Sequence, residues 1–287
     1  MLEKKLKFTQ LFFLSCLTLT LFASNSLLTK AGLLNETTDA YSFTFIRLFS
    51  GTLVLIFLVY FKEKNISISL KNNWGSSFML FLYAICFSFA YLSLDAGLGA
   101  LILFATVQLS MIIVALKNKE HLNLQKIIGI ALAFCGLIYL LFPKDDFEIS
   151  FFHFSLMVLS GIAWASYTIL GKKSKNPLKD TNENFIKTIP FLLIFFIIFV
   201  DNYNITTKGA ILAIISGGIT SALGYILWYI ILKNIQILTA SIIQLLVPVI
   251  AIVLSTVLLQ EELSFTLLIS TMFILSGIFI YLYKKAK

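Results

Sequence analysis

Isolated polar and aromatic side chains within long apolar runs are the groups in this sequence that could do chemistry. Arg47 is the only full charge well inside such a run. A guanidinium there can bind a ligand carboxylate or phosphate, or it can donate to backbone carbonyls or extend to the outer surface, and both alternatives stay open. Because buried amides and hydroxyls need partners, the other candidates either line a ligand site or pack helices together. They are Asn25, Tyr91, Gln108, Trp164, Tyr167, Tyr225, Trp228, Tyr229 and Gln244.

Residues for covalent catalysis or metal binding are not grouped in the sequence. His121 and His153 lie far apart, and neither has a cysteine, a serine motif or a carboxylate pair at a useful spacing. Cys16, Cys86 and Cys135 each lie in an apolar stretch without a CxxC pair, so we expect them to be small core residues. The sequence also has no glycine-rich phosphate loop of the Walker type. We therefore predict no catalytic residues, no metal, no cofactor and no ATP hydrolysis.

The elements that hold these residues are predicted to be membrane-spanning helices. Of the 287 residues, 59% are hydrophobic and 13% are charged, and the mean hydropathy is +0.94. A span needs about 20 mostly apolar residues, and its backbone must satisfy its own hydrogen bonds in hydrocarbon, which favours helices. The predicted fold is an all-α integral membrane protein with ten transmembrane helices. The runs are 8–29, 40–61, 72–94, 96–116, 127–143, 149–171, 184–200, 209–232, 234–260 and 263–283.

The distribution of charge sets the predicted orientation. With ten spans and the N-terminus inside, eighteen of the 22 basic residues fall on the cytoplasmic side, three fall outside, and Arg47 lies within a span. Basic loops stay on the cytoplasmic side of a membrane. The sequence thus predicts a multi-pass protein of the inner (plasma) membrane with both termini cytoplasmic. The net charge of +8 belongs to loops and tails and does not indicate nucleic-acid binding.

The two halves of the sequence resemble each other. The stretch 99–116 aligns with 239–256, and ASNSLLTK, which contains Asn25 and Lys30, matches ASYTILGK, which contains Tyr167 and Lys172. Since each half crosses the membrane an odd number of times, the second copy must have the opposite orientation. We predict two inverted five-helix repeats, 1–146 and 147–287. Small-residue clusters at 129–136 and 216–224 are predicted to be close helix contacts without a substrate role.

These features together resemble the EamA-type members of the drug/metabolite transporter superfamily. The resemblance is carried by the ten spans, the duplicated five-helix unit, FIRLFSG around Arg47, LWYIILKN, LLVPVIAIVL followed by QEELS, and ILSGIFIYL. It implies that spans 1, 3, 4, 6, 8 and 9 line a central cavity, and these spans carry the other polar and aromatic candidates. Gln108 departs from the family pattern, which usually has proline there, as Pro248 is in the second half.

Transport of a small polar or amphipathic organic metabolite, such as an amino acid-like compound or a drug, by alternating access is the function that this resemblance implies. We expect an exporter or exchanger whose partners are its substrate and the lipid bilayer, and a monomer is compatible with the sequence. The alternatives are a lipid-modifying membrane enzyme and a membrane scaffold that transports nothing.

The charged residues of the spans lead to two further expectations. Arg47 lies about two helical turns, or roughly 10 Å, below the outer end of its span and is predicted to face the cavity, where it favours negative charge or carbonyl oxygens. Every carboxylate is expected at or beyond a span end, with Asp95, Glu261 and Glu262 as solvated turn residues. Coupling to protons should therefore be weak, because it usually needs a buried ionisable group.

Cysteine labelling tests the predicted topology. A single cysteine at Asn176 should react with a membrane-impermeant reagent only from the cytoplasmic side, and one at Asp146 only from outside, because basic loops stay inside. The measurement is labelling of intact cells and of opened membranes, with the native cysteines replaced. Labelling of the Asn176 position from outside, or of the Asp146 position only from inside, contradicts the topology.

Overall fold

The computed structural model describes residues 6–34, 37–64, 73–119, 123–141, 150–199, 203–259 and 265–283. Across these ranges the chain folds into helices and forms no β-strand. The helices are α1 (Phe8–Leu33), α2 (Ala40–Glu63), α3 (Trp74–Ala90), α4 (Ala96–Lys117), α5 (Leu124–Leu141), α6 (Phe151–Gly171), α7 (Pro177–Phe199), α8 (Thr207–Ile215), α9 (Ala222–Leu232), α10 (Ile237–Ile243), α11 (Leu246–Leu259) and α12 (Phe265–Leu282). The predictions for His121, Asp146, Glu261 and Glu262 lie outside the described residues.

Several of these helices are long and apolar enough to cross a bilayer. Within the described residues six stretches qualify, namely Phe8–Leu33, Ala40–Glu63, Ala96–Lys117, Phe151–Gly171, Thr207–Leu232 and Ile237–Leu258. Shorter apolar helices occupy Trp74–Ala90, Leu124–Gly136 and Leu268–Leu282. The all-α, multi-pass character of the chain is thus confirmed, while ten spans in two repeats stay a prediction.

The starts of α2 and α8 are fixed by capping side chains and lie side by side. The Asp39 carboxylate accepts from the backbone N–H of Ser42 at 2.7 Å, and the Thr206 hydroxyl accepts from that of Gly209 at 3.1 Å. Each contact satisfies an amide that has no partner within its helix. The backbone of Asp39 also donates to the carbonyl of Asn204 at 3.0 Å. The contact between Asp39 and Asn204 therefore holds the starts of α2 and α8, which are distant in the sequence, together at one end of the molecule.

A π-helical segment, Ser216–Ser221, joins α8 to α9 within one continuous helix, Thr207–Leu232. Such segments widen a helix locally and are frequent at functional sites. Gly217 allows the close approach that this segment makes, because a Cβ there would lie 1.9 Å from the carbonyl oxygen of Arg47. The π segment is therefore packed directly against α2.

Pro248 explains why the helix from Ile237 is interrupted. α10 ends at Ile243 and α11 begins at Leu246, so that Gln244 and Leu245 lie between two helices. Proline has no N–H to donate to the carbonyl of Gln244, and that carbonyl accepts from Val247 at 3.0 Å instead. In the first half the aligned residue is Gln108, and α4 continues unbroken from Ala96 to Lys117. The departure from the family pattern thus changes the local geometry of α4.

The start of α7 differs from the prediction. This helix begins at Pro177 rather than at 184, with proline at the first helical position, where its fixed φ suits a helix. Its charged first half is buried: Lys187 is 3% exposed and pairs with Glu183 at 3.3 Å, one turn earlier. Asn73 donates to the same carboxylate at 3.2 Å. Glu183 thus lies inside α7, and its charge is balanced within its own helix, while the limits of the span that α7 contains stay a prediction.

Small residues produce a close helix contact between α5 and α12. A Cβ on Gly129 would lie 2.7 Å from the carbonyl oxygen of Gly277, and one on Gly277 would lie 2.5 Å from the backbone N of Ala133. The interpretation of the cluster 129–136 as a close contact agrees with this packing.

Of the cysteines, Cys86 is buried, whereas Cys16 and Cys135 are exposed, so the prediction of three core cysteines is wrong for two of them. An apolar run does not reveal which of its faces meets lipid.

Substituting Gly277 tests this packing. Gly277→Ala should lower the midpoint of thermal unfolding in detergent by about 3–10 °C, because overpacking costs roughly 1–3 kcal/mol. Gly75→Ala is the matched control, since nothing lies within 4 Å of a Cβ at Gly75. Equal midpoints for the two variants would contradict the close contact between α5 and α12.

Candidate substrate site

Arg47 on α2 is the centre of a buried polar cluster. Its side chain is 1% exposed, so it does not extend to the membrane surface. Its Nε donates to the Ser221 hydroxyl at 3.1 Å, and one terminal nitrogen donates to the hydroxyls of Tyr225 at 2.9 Å and Tyr83 at 3.3 Å. The carbon of the guanidinium also lies 5.3 Å from the centre of the Phe87 ring. The guanidinium is thus held by neutral hydroxyls and aromatic faces.

The charge of Arg47 has no counter-charge in the part of the chain that the structure describes. The ion pairs there are Lys30–Asp95, Lys179–Glu63 and Lys187–Glu183, and none includes Arg47. The second terminal nitrogen, Nη1, is buried and finds no acceptor among the described residues. A buried donor without a partner costs about 1–3 kcal/mol, and more when it is charged. This N–H group can therefore donate a strong hydrogen bond to an external oxygen.

Asn25 on α1 connects to Arg47 through the π segment. Its side-chain oxygen accepts hydrogen bonds from the hydroxyls of Ser216 at 2.9 Å, Ser221 at 3.3 Å and Thr220. Since Ser221 also accepts from Arg47, one hydroxyl joins α1, α2 and the π segment. The widened turn of the π segment brings these hydroxyls together on one face.

Aromatic rings from four helices form the wall beside the guanidinium. The centre of the Trp164 ring lies 4.9 Å from those of Tyr83 and Tyr225 and 5.1 Å from that of Phe22. The indole N–H of Trp164 donates to the side-chain oxygen of Gln244 at 2.8 Å, next to the break between α10 and α11. This contact fixes the ring orientation, and the four rings of the wall are buried against one another.

Tyr167 and Tyr229 extend the cluster toward the start of α7. Their ring centres are 5.1 Å apart, and Asn184 donates to the hydroxyl of Tyr229 at 3.2 Å. A polar cavity of about 80 Å³ reaches this end of the cluster, enough for water and small polar groups. Its lining is Asn73, Ser76, Leu170, Gly171, Lys173, Ser174, Asp180, Asn184 and Tyr229.

Buried polar atoms without partners among the described residues concentrate around this cluster. Besides Arg47 Nη1 they include the hydroxyl of Tyr167 and the side-chain oxygen of Asn184. Both polar atoms of Gln108 on α4 are also unpaired, although the residue is fully buried. Proteins pair most of their buried polar groups, so such a concentration marks a place where a ligand can supply the missing partners.

The structure brings most of the predicted residues together. Asn25, Arg47, Trp164, Tyr167, Tyr225, Tyr229 and Gln244 form the connected cluster described above. Trp228 joins it through Phe22, with ring centres 5.6 Å apart, and donates to the Thr168 hydroxyl. Tyr91 lies at its edge, where its ring meets Phe87 and its hydroxyl donates to the carbonyl of Ala96. Gln108 is buried, but no hydrogen bond joins it to the others.

Two groups of residues in the cluster were missed by the sequence analysis. The stretch 216–224 was predicted to have no substrate role, yet Ser216, Thr220 and Ser221 bind Asn25 and Arg47. The interpretation of this stretch as a close helix contact agrees with the packing of Gly217, where a Cβ would lie 1.9 Å from the carbonyl oxygen of Arg47, and the absence of a substrate role stays a prediction. Small hydroxyl residues serve both close packing and hydrogen bonding, and the sequence does not show the π geometry. Tyr83 was also overlooked, since a lone tyrosine in a span is as typical of packing as of a site.

Taken together, these features define a multi-pass, all-α membrane protein that encloses a polar and aromatic cluster between its helices. The particular family is given by the match of the sequence to a family profile. The EamA-like transporter family matches residues 9–142 and 152–283, so the chain belongs to that family. The resemblance to the EamA type of the drug/metabolite transporter superfamily is thereby confirmed. Membership also makes transport the class of function.

Known proteins agree with this assignment. An uncharacterized protein of Pseudomonas aeruginosa is 37% identical over 92% of this chain and 92% of its own. A protein of Salmonella typhimurium named as a probable amino-acid metabolite efflux pump is 25% identical over 75% of this chain and 77% of its own. One solved crystal structure covers 95% of this chain and 97% of its own, with a TM-score of 0.75 and 16% identity, so the fold is one already observed.

Removing the Ser221 hydroxyl tests the link between the three helices. Ser221→Ala should lower the thermal unfolding midpoint in detergent by several degrees, because Arg47 Nε loses its acceptor in a buried place, at roughly 1–3 kcal/mol. Ser24→Ala is the control, since that hydroxyl bonds only within α1, to the carbonyl of Thr20. If Ser221→Ala unfolds at the same temperature as the control, the hydrogen bonds of Ser221 do not stabilise the fold.

Proposed function

We propose that this protein is a secondary transporter that moves a small polar or amphipathic organic metabolite by alternating access, as an exporter or an exchanger. The observation that carries the proposal is the unpaired, buried N–H group of Arg47. An arginine with a purely structural role would be expected to have its donors satisfied. A carboxylate, phosphate or carbonyl oxygen of a substrate fits this donor, and the aromatic wall fits an apolar substrate body.

The proposed site consists of the residues that contact one another around Arg47. We assign Asn25, Arg47, Tyr91, Gln108, Trp164, Tyr167, Tyr225, Trp228 and Gln244 to substrate binding, and we add Tyr83 and Ser221 because both accept hydrogen bonds from Arg47. Gln108 has two unpaired polar atoms that a polar substrate group satisfies.

An amino acid-like compound is the proposed kind of substrate. The Salmonella typhimurium relative is named for amino-acid metabolites, and an amino acid combines a carboxylate for Arg47 with a side chain for the aromatic wall. Substrate gradients would supply the energy, since the sequence has no nucleotide-binding loop. Proton coupling stays weak in this proposal because the buried carboxylate of Glu183 is already paired with Lys187.

Ten transmembrane helices in two inverted repeats, 1–146 and 147–287, complete the proposal. Two matched contacts support it. Lys30 in the last turn of α1 donates to the carbonyl of Leu94 at 2.9 Å, just before α4, and Lys172 after α6 donates to the carbonyl of Ile235 at 2.6 Å, just before α10. These lysines align in the sequence, so each half uses the same contact to tie its first helix to its fourth.

The inverted arrangement places these two contacts at opposite membrane faces. The family profile also matches once in each proposed half. Two halves related by an axis in the membrane plane can exchange conformations, which yields equivalent inward-open and outward-open states. We place the protein in the inner membrane, with both termini cytoplasmic, and propose that a monomer suffices.

Exchange in liposomes tests the function. Vesicles with the purified protein, preloaded with one member of a panel of amino acids and related carboxylates, should take up the same labelled compound without ATP, because an exchanger needs only a substrate gradient. Protein-free vesicles measure leakage. Failure to exchange any compound of the panel, with the protein folded and inserted, would contradict the proposal and favour a scaffold.

Substitution of Arg47 tests the site. Arg47→Lys keeps the charge but loses the planar fork, so a bidentate substrate contact should weaken in both Arg47→Lys and Arg47→Gln, by about tenfold or more. A simple counter-charge would survive in Arg47→Lys. The measurement is the concentration of half-maximal exchange, with monodisperse purification as the folding check. Unchanged affinity and rate in folded Arg47→Gln would remove Arg47 from the site.

A further inference from the structure

On the topology of the proposed function, a crevice lies at the cytoplasmic end of the molecule, away from the Arg47 cluster. It has a volume of about 560 Å³ and separates the end of α2 from the end of α9. Its lining combines lysines and amides with apolar residues: Leu6, Lys62, Glu63, Lys175, Asn176, Pro177, Leu178, Ile226, Ile230, Lys233 and Asn234. None of the residues assigned to the substrate site lines it.

The crevice carries a positive charge. Lys62, Lys175 and Lys233 line it together with one carboxylate, Glu63. Lys179 neutralises that carboxylate at 2.6 Å, and Asn176 donates to it at 2.7 Å. The charges of Lys62 and Lys175 are therefore not balanced by Glu63, while the amine of Lys233 donates to the carbonyl of Lys175 at 3.2 Å. A ligand with a phosphate group is complementary to such a place.

The apolar lining of the crevice belongs to a partly exposed face of α9. On α9, Leu223, Ile226, Ile230 and Lys233 follow helical spacing along one face, while Tyr225, Trp228 and Tyr229 are buried on another. Leu223 is 38% exposed near the start of α9, and Lys233 lies at the other end of the same face. An acyl chain can thus follow this face while its headgroup stays among the lysines.

A second apolar groove continues the crevice along α1. It has a volume of about 440 Å³ and is lined by Leu6, Gln10, Phe13, Leu14 and Leu17. Leu6 lines both the groove and the crevice, so the two are contiguous. Phe13 is 71% exposed, as expected for a side chain in contact with lipid. A basic headgroup pocket that joins an apolar groove has the shape and polarity of a phospholipid.

We infer that this crevice, which the topology of the proposed function places on the cytoplasmic side, binds an anionic phospholipid of that leaflet, with its phosphate between Lys62 and Lys175 and its acyl chains along Ile226, Ile230 and the α1 groove. Basic pockets between membrane helices on the cytoplasmic side suit such headgroups. A zwitterionic phospholipid is less suited, because its own cation lies beside its phosphate and repels the lysines. This inference does not depend on which substrate is transported, because the crevice shares no residue with the Arg47 cluster.

Native mass spectrometry of the full-length protein in detergent tests the site, with phosphatidylglycerol and phosphatidylcholine as probes. Lys62→Gln/Lys175→Gln should bind the first phosphatidylglycerol about 30-fold more weakly than the wild type, since each lysine near a headgroup contributes roughly a factor of five. Lys117→Gln/Lys119→Gln, on the end of α4, is the control with the same change in charge, and both of its positions are exposed. Phosphatidylcholine should bind weakly to all three proteins.

A second pair of variants distinguishes binding of a lipid from binding of free phosphate. Ile230→Trp fills the crevice without a change of charge and should weaken phosphatidylglycerol binding, whereas Leu223→Trp, on the same face but outside the crevice lining, should not. Inorganic phosphate should not displace the lipid.

Three results would overturn the assignment. Displacement of the lipid by phosphate would show a simple anion site. Equal losses in the two lysine double variants would show diffuse charge attraction, and equal binding of the two lipids would show that the lysines do not select the headgroup. Monodisperse purification confirms that each variant is folded.

Discussion

A single charge in the membrane interior constrains this structure more than any other feature. An arginine at the centre of a span costs at least about 2.5–3.5 kcal/mol and is tolerated where it faces the protein interior. Here Arg47 is buried against the hydroxyls of Ser221, Tyr225 and Tyr83. Neutral partners stabilise the guanidinium without cancelling its charge. The cluster therefore keeps a positive potential at its centre, which favours an anionic or carbonyl-bearing ligand.

Several backbone features serve this arrangement. The π segment turns Ser216, Thr220 and Ser221 toward Asn25, and Ser221 also meets Arg47. Gly217 lets the segment lie against the carbonyl of Arg47, which a side chain at that position would prevent. The break before Leu246 places Gln244 where its side chain accepts from Trp164. Polar side chains at an irregular backbone are thus concentrated where the helices meet, in keeping with the rule that irregular membrane backbone is tolerated where protein buries it.

The sequence predicted the helices and much of the cluster, because long apolar runs and isolated polar residues are strong signals. Arg47 and Asn25 stood out for this reason, and the structure joins them through Ser221. The charged start of α7 was not predicted, since hydropathy cannot show that Glu183 and Lys187 neutralise each other one turn apart. The π segment was also invisible, because its hydrogen-bond pattern depends on packing against α2 and not on composition. Cys16 and Cys135 are exposed although both lie in apolar runs. Composition does not distinguish a residue that faces lipid from one that faces the protein interior, because both environments are apolar.

The asymmetry between the halves follows from single residues. Pro248 interrupts one helix, whereas Gln108 leaves α4 continuous. Arg47 charges one side of the cluster, and its aligned position near Thr188 carries no charge. The matched contacts of Lys30 and Lys172 nevertheless recur in both halves. The lysine contact is thus common to both halves of the sequence, while the polar residues of the cluster differ between them.

The central claim is that the unpaired N–H of Arg47 marks where the substrate binds. An experimental structure of the protein with a ligand found by thermal-shift screening of a metabolite library tests it most directly, because a ligand of the folded state raises the unfolding temperature. We expect a ligand oxygen within hydrogen-bond distance, about 2.7–2.9 Å, of Arg47 Nη1, with the rest of the ligand against Trp164 and Tyr225. A ligand bound elsewhere, with Nη1 satisfied by the protein itself, would contradict the account.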